Sequence, residues 1–140
     1  MEYRRFGSSV AVRLSVGEDI SKSLLSLAEK ENIRLGSVSG IGATDDFTIG
    51  VFNLETRAYD RFRFTGNHEI TSLSGNFTTM DQKPYLHLHI TCAGADGKLV
   101  GGHLLASRIS LTAEIWIQVV PGEAERKRDE ELGINLISFA

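Results

Sequence analysis

Val10, Val12 and Leu14 alternate with small or charged neighbours, the period of two expected of a strand with one buried face. With the residues before Gly7 they predict two short strands joined around Gly7-Ser8-Ser9. The period then changes. In "EDISKSLLSLAEKENI", Ile20, Leu24, Leu27 and Ala28 recur at helical spacing, which predicts one helix. Glu18 and Asp19 sit where a helix dipole favours negative charge, while Lys22, Glu29 and Lys30 form a face for water. From Leu35 onward the pattern is strand after strand: "RLGSVSGIGA", "DFTIGVFNLE", "AYDRFRFTG", "HEITSLSGNFT", "YLHLHITCAG", "KLVGGHLL" and "ISLTAEIWIQVV", separated by Gly, Asp or Asn. "GEAERKRDEELG" is charged throughout and reads as a loop or short helix, and "INLISF" as a last strand. No repeat or low-complexity stretch divides the chain, so residues 1–140 are expected to form a single α+β domain, one helix on a mostly antiparallel sheet.

Composition narrows the class. A chain of 140 residues with 41% apolar and 24% charged positions can bury a proper core. Its net charge of −3 does not draw in phosphate backbones, so a DNA contact would need a local basic patch. Cys92 is the sole cysteine, which excludes an internal disulfide and fits a reducing compartment. The opening "MEYRRFGSSVAVRL" has no continuous apolar segment of the secretory type. No apolar run approaches the roughly 20 residues that span a bilayer. A cytoplasmic location is the expectation.

Candidate chemistry gathers in "YLHLHITCAGADGKLVGGH", residues 85–103, which holds three of the four histidines. On a strand, His87 and His89 share a face, roughly 6–7 Å apart at Cα. Asp96-Gly97 signals a hairpin, and its register decides where His103 falls. A two-residue loop places His103 opposite Ile90, on the wrong face. A three-residue loop, Ala95-Asp96-Gly97 with Gly97 left-handed, places it opposite His89; a bulge at Gly101-Gly102 would do the same. Three converging imidazoles would make an open site for zinc or another first-row divalent metal, with one position free for water or a ligand. Against this stands the ordinary role of strand histidines, half-buried and each satisfied by a carbonyl or hydroxyl.

Other residues add less. Glu114, alternating with Ile115 and Ile117, is a candidate fourth ligand, a residue that orients a ligand, or a general base, and equally an exposed strand residue. Cys92 has an odd offset from His89 and reads as core. "GIG" at 40–42 lacks the Gly-Lys-Ser/Thr tail of a phosphate loop. "RKR" at 126–128 is flanked by Glu123, Glu125, Asp129, Glu130 and Glu131 and reads as a solvated mixed-charge segment. Arg61 and Arg63 share a face suited to an anion or, by default, to surface salt bridges. No serine–histidine–acid order can be assembled, so no catalytic residue is assigned.

Three stretches, "SGIGATDDFTIGVFN" (39–53), "GNHEITSLSGNF" (66–77) and "HLHITCAGADGKLVGGHL" (87–104), resemble the plants-and-prokaryotes-conserved (PPC) domain, over about residues 4–120. Free-standing prokaryotic members repeat His-x-His, a D-G turn and Gly-Gly-His, so the resemblance implies that His87, His89 and His103 share one site. It also implies a seven-stranded, mostly antiparallel α+β domain, a homotrimer, Gly40 and Gly42 in a tight turn, and a DNA-binding label. Two departures weaken a plant-like role in transcription. No Arg-Gly-Arg-Pro AT-hook is present, and the family's Gly-Arg-Phe-Glu-Ile-Leu is matched by "GNHEIT", with Asn67 and His68.

Three functions follow. The first is a divalent-metal or small-ligand binding module serving sensing or regulation. The second is a metal-dependent lyase or hydrolase acting on a small molecule, for which a carboxylate such as Glu114 near metal-bound water would speak. The third leaves the histidines structural, with function carried by the oligomeric surface.

Overall fold

The computed structural model describes residues 1–139. The alternating N-terminus forms β1 (Glu2–Phe6) and β2 (Ser9–Ser15), turned at Gly7 with φ +61°. The helix α1 spans Ile20–Glu31. Asp19 caps it, accepting from the Lys22 amide at 2.9 Å, while its other oxygen accepts from Ser107 N at 3.0 Å. Asn32, left-handed at φ 51°, ends it.

The remaining strands are β3 (Gly36–Asn53), β4 (Ala58–Met80), β5 (Lys83–Ala93), β6 (Leu99–Val119), β7 (Glu125–Asp129) and β8 (Ile134–Ser138). Three are longer than the sequence pattern suggests, because several glycines expected to break strands lie within them. Gly40 and Gly42, expected in a tight turn, sit inside β3, where the register against β4 shifts between them. A bulge bends a strand without ending it. Glycine is needed there for close approach: a Cβ on Gly42 would lie 2.4 Å from the Thr112 carbonyl oxygen of β6. Gly101 and Gly102 likewise lie within β6, paired with Thr91 and Ile90. Gly97 is a turn residue, at φ +75°. The charged segment after Gly122 forms neither loop nor helix along its whole length but the β7–β8 hairpin, so the described residues hold eight strands rather than seven.

All pairings are antiparallel except the single β4–β7 bridge. Strands β3, β4, β5 and β6 close into a ring, each bonded to two of the others. Closure removes exposed edges and gives the ring an inner and an outer side. The core is filled by Phe47, Phe77, Leu73, Leu88 and Ile90 from the ring, by β2, and by Leu24 and Leu27 of α1, which packs on β5 and β6. Truncating one such buried leucine to alanine typically costs about 2–5 kcal/mol. His87 and His89 lie on the other face of β5, with His103 beside them on β6.

Candidate metal centre

Strand β5 sorts its side chains by parity. Leu88, Ile90 and Cys92 are buried in the core, and Cys92's thiol is pushed up to about 12 by burial. Tyr85, His87 and His89 alternate with them and face away. The β5–β6 hairpin takes the three-residue form: Gly94 N donates to the Lys98 carbonyl at 3.0 Å and Gly97 N to the Gly94 carbonyl at 2.9 Å. His103 is therefore paired directly with His89, and no bulge at Gly101-Gly102 is required.

The structure brings His87, His89 and His103 together. One nitrogen from each lies within 4.8 Å of the others, and the ring centroids are 5.0–5.6 Å apart. Zinc–nitrogen bonds of about 2.0–2.1 Å ask for ligand atoms roughly 3.4 Å apart in a tetrahedral site. A modest inward swing of the rings supplies the difference. His103 Nδ1 is buried and has no hydrogen-bond partner. Buried polar atoms are nearly always paired, so this nitrogen calls for a partner that the chain does not provide.

Electrostatics favour the same use. Burial, and then the neighbouring His87 and His89, hold His103 down at about 4. His87 is lowered by burial first, then by His89 and the Arg126 guanidinium. A neutral imidazole is the form that ligates metal, so these rings reach pH 7 without a proton to displace.

Tyr59 of β4 stacks on His103 with centroids 4.8 Å apart. Gly50 makes the room. It stands beside His103 in the β3–β6 pairing, and a Cβ there would lie 2.6 Å from the Tyr59 ring. On the other side Tyr85 lies under the Arg126 guanidinium, 4.9 Å from its ring centroid. Arg126 donates to Thr78 Oγ1 at 2.8 Å, the Asn135 carbonyl at 2.8 Å and Asn76 Oδ1 at 3.1 Å. Between these groups and the β7–β8 hairpin is a cleft of about 220 Å³.

Glu114 does not join the site. It is exposed, paired between Arg13 of β2 and Ile41 of β3, eleven positions further along β6 than His103. At about 3.3 Å per residue that is roughly 36 Å of strand. Tyr59 and Tyr85 were not singled out from the sequence, and Arg126, read there as part of a solvated "RKR" segment, is buried instead. Tyr85 carried a usable signal, being two residues before His87 on the same face. Arg126 did not, because a charged neighbourhood conceals which cation is buried.

The family description "Plants and Prokaryotes Conserved (PCC) domain" matches residues 1–121. No curated protein matches the chain significantly. Among solved structures, a candidate DNA-binding protein of Bacteroides thetaiotaomicron is 33% identical, with TM-score 0.96 over 99% of this chain and 96% of that one. A metal-containing protein of Archaeoglobus fulgidus is 32% identical, with TM-score 0.88 over 98% and 96%. A plant- and prokaryote-conserved protein of Pyrococcus horikoshii is 27% identical, with TM-score 0.87 over 99% and 94%.

Proposed function

Since the chain belongs to the Plants and Prokaryotes Conserved domain family, we propose that it is a divalent-metal-binding domain. Zinc is the best-suited ion, held by His87, His89 and His103, and the open position takes up a small molecule for sensing or regulation. The orphaned, buried Nδ1 of His103 among three convergent imidazoles is the observation that carries this reading. A relative at 32% identity that is described as metal-containing supports it. Bound zinc would supply a Lewis acid and a water of lowered pKa. The chain's own residues orient the ligands: Tyr59 fixes the plane of His103 by stacking, and the β5–β6 pairing sets the spacing of all three rings.

A binding role stands ahead of a metal-dependent lyase or hydrolase because no aspartate or glutamate lines the cleft, and Glu114 lies elsewhere. A role on DNA, suggested by the description of the Bacteroides relative, would be indirect. Arg63 and Arg108 are committed to Asp46 and Asp45 through paired contacts of 2.7–3.0 Å. The exposed Phe6 and Trp116, with centroids 6.5 Å apart, offer an apolar face for the expected homotrimer. Among the described residues no helix is long and apolar enough to cross a membrane, and a cytoplasmic setting suits the single thiol.

Thermal melting with added zinc tests the reading. A ligand at a hundred times its dissociation constant stabilises by about 2.7 kcal/mol, which is several degrees of Tm. The wild type is expected to show this rise and His103→Ala to show none. Equal shifts in both would refute the site.

A further inference from the structure

Arg126 is 7% exposed, yet among the described residues it has no carboxylate partner. Its three hydrogen bonds go to a threonine hydroxyl, a backbone carbonyl and an asparagine amide oxygen, all neutral. A guanidinium has five N–H donors, so two remain. Buried charges are normally paired, because desolvation is costly without a counter-charge. The nearby acids are engaged elsewhere. Glu125 accepts from the Thr79 hydroxyl and the Asp81 amide, and Asp129 from the Leu132 amide. Arg128, two residues on and on the same side of β7, is exposed and lines the same cleft. Two arginines, two tyrosines and two of the three histidines thus surround one space with no negative side chain in its wall.

We propose that this cleft binds a small anion, a molecule bearing a carboxylate or phosphate group, gripped by Arg126 and Arg128 while one of its oxygens takes the open metal position. The inference rests on the metal reading above and adds to it the class of ligand. Arginine forks match either group through two parallel charge-assisted hydrogen bonds. The volume of about 220 Å³ is below the roughly 300–1,000 Å³ of typical ligand pockets, which selects a molecule of few atoms. Both arginines lie beyond residue 121, where the family match ends, but the solved relatives align over 98–99% of this chain and so extend across the hairpin that closes the cleft.

Titration calorimetry on zinc-loaded protein, with glycolate and with inorganic phosphate as probes, tests this when zinc content is measured in every sample. At least one probe is expected to bind, and the tighter one identifies the anionic group. Arg126→Gln and Arg128→Gln should each weaken it about ten- to a hundred-fold, the range for a lost charge-assisted hydrogen bond, without releasing zinc. Arg128 is exposed, so its variant reads binding even if the Arg126 variant fails to fold. Zinc retained with neither probe bound, or unchanged affinity in Arg128→Gln, would overturn the anion site and leave the metal site standing. Wild-type protein that takes up no zinc would overturn both.

Discussion

His68 and His103 both lean on aromatic rings, and their surroundings show two different uses of a strand histidine. His68 sits at the corner where β3 and β4 shift register, edge-on to Phe47 at 5.1 Å and to Phe64 at 6.3 Å. Its Nδ1–H donates to the Gly66 carbonyl at 2.7 Å, so the ring is satisfied by its own chain. His103 stacks on Tyr59, but its buried Nδ1 has no partner and two more imidazoles stand beside it. The difference is one of convergence: an isolated histidine finds a carbonyl, whereas three facing one point leave nitrogens for something else to bind.

The strongest way to break this comparison is to pry β5 from β4. A Cβ on Gly75 would lie 1.9 Å from the His87 carbonyl oxygen and 2.9 Å from Leu88 Cα, both backbone atoms that cannot turn aside. Gly75→Ala is expected to cost about 3 kcal/mol or more by overpacking, and to weaken metal uptake by displacing His87. Denaturant unfolding and zinc titration would read the two effects, and wild-type stability in this variant would contradict the close pairing.

A smaller effect sharpens the other half. His68→Ala removes aromatic packing worth about 0.5–1.5 kcal/mol beyond its buried area. Tm should fall by a few degrees while zinc stoichiometry stays unchanged. Loss of zinc in this variant would mean that the two regions are not separate.

A further effect appears in acid. In the metal-free protein His103 titrates at about 4 when folded, against an ordinary value of 6.5. As pH falls, the unfolded chain therefore binds this proton first. The stability present above about pH 6.5 should drain away between 6.5 and 4 and level off below, with His87 shifted in the same sense. A His87→Phe, His103→Phe double variant should show a shallower decline over that window, measured by melting without metal.

Much of this was legible in the residues themselves. On β5 the two faces differ so sharply, Leu88 and Ile90 against His87 and His89, that the strand and its orientation could be read directly. Asp96-Gly97 announced the hairpin, but only the structure chose the three-residue loop that brings His103 to His89. The long strands were harder, since a glycine at a bulge, such as Gly42, and a glycine in a turn, such as Gly97, look alike in sequence. Closure of the cleft was not legible. It depends on one parallel bridge, Thr79 to Glu125, and on a buried arginine inside a charge-rich segment. Nothing in local periodicity encodes so long-range a contact.

The central claim is that three histidines form one metal site, and metal content tests it most directly. Protein purified without a histidine tag or chelator would be measured by mass spectrometry alongside folded His87→Ala, His89→Ala, His103→Ala and His68→Ala variants. The account predicts near-stoichiometric divalent metal in the wild type and in His68→Ala, with a large loss in each of the other three. No metal in the wild type after incubation with zinc, nickel or manganese, or metal that persists in all three histidine variants, would contradict it.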